Sequence, residues 1–300
     1  MATAGLTQGW VAKRLPPRPV RAHKGSFGRL LIVAGSLEYA GAALLTGLGA
    51  IRVGVGVACL AAPETVGLRL LGVVPELTSM LLVEEAPGLT APGGWRRLAT
   101  EAPAYEALVI GPGLGRQPAT LRRARNFIGE LRQPTVVDAD ALVALADVQR
   151  WWQPIKAPLV LTPHPGEFAR LIRMPEGDKL SDDDAQRSEA AQAAAARWGQ
   201  VVVLKGAHTV IASPDGDLLR SDIATPALAT AGSGDVLSGV IGAFLAAGMS
   251  PFDAAGCGVA VHGAAGLLAE DRIGRAGVIA RDIASLLPNA IEQLRGGRRA

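Results

Sequence analysis

Cysteine is nearly absent from this 300-residue chain, and the two that occur, Cys59 and Cys257, are too few and too far apart for a disulfide framework or a cysteine metal site. Both lie in apolar surroundings and read as reduced core residues. Charge is scarce as well. Charged residues make up 19% of the chain and leave a formal net charge of +3, with no interleaving of aromatic and basic residues, which argues against a nucleic-acid surface. The first 20 residues lack an uninterrupted apolar stretch of signal-peptide length, because Lys13, Arg14, Pro16, Pro17 and Pro19 fall among them. The most apolar run, Val236 to Met249, is shorter than a membrane span and is followed by Pro251 and Asp253, so it reads as a buried helix. Neither secretion nor membrane insertion is expected, and a cytoplasmic location is.

Two phosphate-binding fingerprints are also missing. Lys24 and Lys205 each precede a glycine, so no Gly-x-x-x-x-Gly-Lys-Ser/Thr occurs, and Gly111-Pro112-Gly113-Leu114-Gly115 runs into Arg116 where a dinucleotide fingerprint needs a further glycine. Any phosphate must be held in another way. The chain does have hydrophobic residues at 49%, 37 glycines and few aromatics, a composition suited to a doubly covered sheet with close helix contacts. With no low-complexity spacer, residues 1–300 read as one α/β domain, with 1–20 as a flexible or peripheral segment. The basic residues Lys13, Arg14, Arg18, Arg21 and Lys24 at one end, and Arg295, Arg298 and Arg299 at the other, are expected to be solvated.

Short apolar runs alternate with longer segments of helical spacing. Strands are predicted at Leu30–Val33, Val53–Leu60, Leu108–Ile110, Thr135–Val137, Pro158–Leu161 and Val201–Leu204, with helices at Gly41–Arg52, Glu64–Leu71, Pro118–Leu131 and Ser181–Trp198 between them. This order predicts a mostly parallel sheet. Thr209–Ile211 and Leu218–Arg220 flank the turn Pro214-Asp215-Gly216-Asp217 as an antiparallel hairpin, and three apolar helices fill the C-terminal third. Open α/β sheets bind ligands at the carboxyl ends of their strands, and nearly every unusual residue falls in a loop there.

The stretch Thr230-Ala231-Gly232-Ser233-Gly234-Asp235-Val236-Leu237-Ser238 sets a carboxylate just after a small-residue turn that opens an apolar helix. Glycines there let backbone N–H groups converge on an anion, and Asp235 would face a bound phosphate as a base or metal partner; a plain helix cap fits the residue types equally. Val137-Asp138-Ala139-Asp140 would put both carboxylates on one strand face, for a metal or for capping. Leu161-Thr162-Pro163-His164-Pro165-Gly166-Glu167 is a rigid strand exit carrying an imidazole and an acid, or a structural turn, with no second histidine at zinc spacing. Lys205-Gly206-Ala207-His208-Thr209 places a cation and a hydroxyl at the same edge, where nucleotide contact is plausible. Ala40-Gly41-Ala42-Ala43 would admit a ligand ring against its backbone or serve helix packing. Ser181-Asp182-Asp183-Asp184 reads as a capping box, and His262 as a core histidine without a role, like His23 in the basic N-terminal run.

Taken together, Lys24-Gly25-Ser26-Phe27-Gly28 with Gly35-Ser36, Gly111-Pro112-Gly113, Val137 to Asp140, Thr162 to Glu167, Leu204 to Thr209 and Ala231 to Asp235 resemble the ADP-dependent NAD(P)H-hydrate dehydratase family. The resemblance implies a ribokinase-like fold: a single-domain three-layer α/β/α sandwich with a mostly parallel sheet. It implies dehydration of the S-form of hydrated NADH or NADPH at the expense of ADP, releasing AMP and phosphate, with Mg²⁺ as cofactor. The ring hydroxyl would be phosphorylated and the phosphate then eliminated. By the same resemblance Ala42, Gly113, His164 and Asp235 contact the hydrated substrate, and Lys205, Gly206, Ala207, His208, Thr209 and Gly234 contact the AMP part of the donor. Asp235 would act as base, with the N–H groups of Gly232, Ser233 and Gly234 holding developing charge, and Glu167 would lie near magnesium. A homo-oligomer, tetrameric in the family, is implied, as is an NAD(P)H-hydrate epimerase, expected to be a separate protein. Leu37-Glu38-Tyr39 departs from the family's more glycine- and proline-rich loop. The rival readings are a vitamin-precursor kinase of the hydroxymethylpyrimidine or hydroxyethylthiazole type, disfavoured by His164 within its motif, and a non-catalytic nucleotide-binding protein, disfavoured by Asp235 beside an intact Gly-Ser-Gly.

Overall fold

The computed structural model describes residues 4–175 and 177–296, so Arg298 and Arg299 lie outside the described residues. In chain order the strands are β1 (Ala4–Gly5), β2 (Arg29–Val33), β3 (Val57–Pro63), β4 (Thr78–Leu82), β5 (Glu84–Ala86), β6 (Leu89–Thr90), β7 (Ala107–Ile110), β8 (Thr135–Val137), β9 (Leu159–Leu161), β10 (Val201–Leu204), β11 (Val210–Ala212) and β12 (Leu218–Arg220). Ten of them form one sheet in the order β1-β12-β11-β10-β9-β8-β7-β2-β3-β4, and β5 and β6 form a separate hairpin. Within the large sheet every neighbouring pair is parallel except β10 with β11 and β11 with β12. The predicted hairpin is present, and the reversal begins one strand earlier than its turn chemistry indicated.

Alternation along β2 shows why the fold has three layers. Leu30 and Ile32 enter a core shared with helices Ala40–Arg52, Ser233–Ala246, Pro251–Ile273 and Ala280–Leu294, whereas Leu31 and Val33 enter a second core with helices Pro92–Glu101, Pro118–Glu130, Asp140–Ala146 and Asp184–Trp198. A strand buried on both faces needs apolar residues at every position, which is why these runs were legible as strands. Cys59 and Cys257 are free and buried, as expected. Helix Pro251–Ile273 is long and apolar enough to cross a membrane, yet 78% of its most apolar window is buried inside the fold.

Several boundaries move for physical reasons. The strand expected from Val53 starts at Val57, because Val53 caps the preceding helix and Gly54 turns the chain at a φ of 89°. Helix Asp184–Trp198 is capped by Asp183, whose side chain accepts the Gln186 N–H at 2.9 Å, rather than by Ser181. The basic ends are not simply solvated. Arg14 pairs with Asp253 at 2.8 Å, Arg18 donates to the Val53 carbonyl at 2.9 Å, and Arg295 donates to the Pro16 carbonyl at 2.6 Å. The N-terminal segment, expected to be flexible or peripheral, pairs its β1 with β12 at the sheet edge and buries Val11 in the first core.

Two glycines bring together the helices that carry the site. A Cβ at Gly239 would stand 1.9 Å from the Thr46 carbonyl oxygen, and one at Gly49 would stand 2.3 Å from the Val236 carbonyl oxygen. Helices Ala40–Arg52 and Ser233–Ala246 therefore meet backbone to backbone. Gly239→Ala forces this contact apart and is expected to lower stability by about 3 kcal/mol, measurable as a shift in the denaturant midpoint.

Candidate active site

The loops after β8, β9 and β10 converge with the N-terminus of helix Ser233–Ala246 at the carboxyl edge of the sheet. Gly232 caps that helix in the left-handed region at a φ of 85°, and Asp235 follows in the first turn, where N–H groups have no intrahelical partner. The cap is Gly232, with no side-chain cap bond, so Asp235 does not cap the helix and stands in its first turn. The Ser233 N–H, however, donates to the Thr230 carbonyl at 3.2 Å, so it is engaged within the loop rather than turned to a ligand.

Lys205 leaves β10 and points back at these groups. Its ammonium bonds the Asp138 carboxylate at 2.8 Å and lies 3.4 Å from where a Cβ at Gly234 would be. Asp138 is 1% exposed, and its other oxygen accepts the Ser238 hydroxyl at 2.7 Å. Burial alone would push the Lys205 pKa down, but the carboxylates of Asp138 and Glu167 outweigh it and the pKa is raised, so the lysine stays cationic. Burial pushes the Asp235 carboxyl up to about 7, with Asp138 adding to the shift and Lys205 opposing it. A half-buried carboxylate that titrates near neutrality beside a fixed cation is suited to accept a proton from a hydroxyl.

The expected pairing of Asp138 with Asp140 on one face does not form. β8 ends at Val137, Ala139 takes a φ of 48°, and Asp140 turns to accept the Gly115 N–H at 3.0 Å and to pair with Arg116 at 3.1 Å. On the loop after β9, His164 and Glu167 cap helix Pro165–Ile172 reciprocally: the His164 Nδ1 accepts the Gly166 N–H at 3.1 Å, and Glu167 accepts the His164 N–H at 2.9 Å. Burial raises the Glu167 pKa, Lys205 opposes that shift and Asp138 adds to it. Among the described residues no three His, Cys, Asp or Glu side chains converge as a ready-made metal site.

A cleft of about 630 Å³ opens beside this cluster, and His164, Lys205, Gly206, Ala207, Thr209, Ser233 and Gly234 all reach its wall. His208, anticipated as part of the same strip, instead bonds Asp184 at 2.8 Å from a φ of 54° and does not line the cleft. Ala42 and Gly113 come together beyond the cleft, the Cβ position at Gly113 being 2.9 Å from the Ala42 Cβ. Sequence reasoning missed the opposite wall, made by the segment Ile223–Thr230 and by His262. His262 is a buried core histidine, as expected, but it also bonds the Ser233 hydroxyl at 3.1 Å, and burial pushes its pKa down to about 4, leaving it neutral. No spacing in the sequence ties position 262 to 233, since helix packing alone joins them.

Comparison with known proteins bears on what this arrangement does. A sequence model of the family described as NAD(P)H-hydrate dehydratase matches residues 30–289. An ADP-dependent (S)-NAD(P)H-hydrate dehydratase of Bacillus subtilis is 35% identical over 284 residues, covering 94% of this chain and 95% of that protein. A bifunctional NAD(P)H-hydrate repair enzyme of Moorella thermoacetica is 39% identical over 289 residues, covering 96% of this chain and 54% of that protein, so the chain spans about half the length of such relatives. The crystal structure of the ADP/ATP-dependent NAD(P)H-hydrate dehydratase from Bacillus subtilis, co-crystallized with ATP and Mg²⁺, superposes with a TM-score of 0.84 at 34% identity, covering 98% of this chain and 99% of that one. A ribokinase-like superfamily protein from Enterococcus faecalis, 22% identical with a TM-score of 0.79 over 97% of this chain and 96% of that one, shares the fold.

Proposed function

The chain belongs to the NAD(P)H-hydrate dehydratase family, and on that footing we propose that it dehydrates the S-form of hydrated NADH and NADPH at the expense of ADP, yielding NADH or NADPH, AMP and phosphate. The observation that carries this reading is the helix N-terminus that sets Asp235 in its first turn and Gly234 against the Lys205 ammonium, with burial pushing the Asp235 carboxyl up to about 7. The hydroxyl of the hydrated ring attacks the terminal phosphorus of ADP and gives its proton to Asp235 as the bond to AMP breaks. Lys205 and the Gly234 N–H balance charge on the transferred phosphoryl, the Ser233 N–H being engaged by Thr230. Phosphate then leaves with its ester oxygen, and loss of a proton from the adjacent ring carbon restores the dihydropyridine.

In this reading Ala42 and Gly113 bound the place for the hydrated ring and His164 is a further substrate contact, while Lys205, Gly206, Ala207, Thr209 and Gly234 hold the AMP portion. Mg²⁺, when bound, would supply charge neutralisation on the donor phosphates, and we assign Glu167 to hold it. A homo-oligomer, an epimerase that interconverts the two forms of the hydrate, and a cytoplasmic location belong to the same reading; light scattering tests the first. Donor choice between ADP and ATP is part of the proposal.

Because Asp235 must be ionised to accept a proton, kcat/KM is expected to rise with pH through about 7 and level off above it, checked by initial rates at saturating donor. Phosphorus NMR of the product mixture tests the reading against a vitamin-precursor kinase: free inorganic phosphate alongside AMP supports dehydration, and an accumulating phosphate ester contradicts it.

A further inference from the structure

The loop after β7 does more than bound the ring. Gly113 is pressed onto the segment Ser36–Ala42, since a Cβ there would stand 2.6 Å from the Tyr39 carbonyl oxygen. Gly115, at a φ of 81°, continues the loop past Ser36, whose hydroxyl lies 3.5 Å from the Cβ position at Gly115. Ser36 is 8% exposed, and its hydroxyl is buried without a hydrogen-bond partner. That hydroxyl lies beneath the loop, closed to solvent.

Arg116 emerges directly after Gly115. The buried Asp140 carboxylate works as a bracket, taking the Gly115 N–H on one oxygen and the Arg116 Nε on the other. The guanidinium is therefore fixed by its inner edge while its side chain remains 64% exposed, with no other acid paired to it among the described residues. A planar guanidinium held in this way presents its two terminal nitrogens outward, the geometry that binds phosphate oxygens in pairs. Lys205, the other cation of the site, is committed to the donor half by Asp138.

We infer that Arg116, steered by Asp140, is the phosphate-recognition residue for the dinucleotide substrate. This rests on the proposed dehydratase reading, which places the hydrated ring against Gly113 and Ala42. The substrate reaches outward from there along the same loop, and the anion it carries is a phosphate of its dinucleotide body. Two sources share that chemistry: the diphosphate bridge, present in both NADH and NADPH hydrates, and the 2′-phosphate, present only in the latter.

The test compares wild type, Arg116→Ala and Arg116→Lys on NADH hydrate, NADPH hydrate and the hydrate of reduced nicotinamide mononucleotide. Arg116→Ala is expected to raise KM for the dinucleotide hydrates about tenfold or more, with kcat and the KM for ADP little changed, and Arg116→Lys is expected to fall between. Equal effects on NADH and NADPH hydrates, weaker with the mononucleotide, assign the diphosphate; an effect confined to NADPH hydrate assigns the 2′-phosphate. Unchanged KM for all three overturns the inference, as does a rise that is equal for ADP. Equilibrium binding of NADPH, followed by its fluorescence, gives a readout independent of turnover. Wild type that binds NADPH without dehydrating any hydrate contradicts the dehydratase reading alone, whereas identical Kd values for wild type and Arg116→Ala contradict the role of Arg116.

Discussion

Asp235→Asn is expected to lower turnover by about two to four orders of magnitude while nucleotide binding persists, the scale set by losing a positioned base. The amide keeps the size and the helical first-turn position of the carboxyl but accepts no proton. The same substitution should make the protein more stable at high pH. A carboxyl whose folded pKa stands at about 7 rather than 3.8 leaves the native state binding more protons than the unfolded chain between those values, so stability falls as pH rises through that window. Asparagine removes that loss. The variant should gain about 2 to 4 °C in Tm at pH 8 relative to wild type, with a smaller gain near pH 5. Near-normal turnover would remove Asp235 from the mechanism, and a Tm difference independent of pH would show that its carboxyl is not perturbed in the folded state.

Lys205→Ala should have the next largest effect, in two separable parts. Asp138 is 1% exposed and loses its counter-ion, and breaking a buried pair from one side costs about 3 to 5 kcal/mol because the remaining charge has no water to replace its partner. The donor phosphates lose their fixed cation as well, so the KM for ADP should rise by about tenfold or more while affinity for the hydrate changes little. Adding Asp138→Asn separates the two. The double variant removes the Asp138 charge that Lys205 balanced most directly and should recover much of the stability, measured by denaturant unfolding, but none of the donor affinity. An unchanged donor KM in a folded Lys205 variant would place the donor phosphates elsewhere.

How much of this was legible in the sequence follows from where each residue sits. The central strands announced themselves because both faces of the sheet are covered and their buried residues run apolar without interruption, as in Leu30–Val33 of β2 and in β7. Strand β4 and helix Pro92–Glu101 gave no such signal. The first lies at the sheet edge with Thr78 and Ser79 exposed, and the second opens with Pro92-Gly93-Gly94, residues whose local preference runs against a helix and yields to packing of Trp95 and Leu98. In the site, the loops that carry glycine next to Asp, Lys or His could be read from residue chemistry, since glycine there permits close approach and the charged group supplies the reaction. Placement within those loops could not. His208 follows the Lys205 strip in sequence, yet its backbone turns it to Asp184, and Asp138 bonds Lys205 while Asp140, two residues on, turns to Arg116. His262 and the wall at Ile223–Thr230 enter only through tertiary packing of the C-terminal helices.

The most direct test of the central claim is to incubate NADH hydrate with the purified protein, Mg²⁺ and ADP or ATP, following absorbance at the reduced-nicotinamide band together with the nucleotide product. The account predicts that ADP restores the absorbance with one AMP formed per NADH recovered. Failure of both nucleotides to restore it, with authentic hydrate and folded protein, would contradict the account.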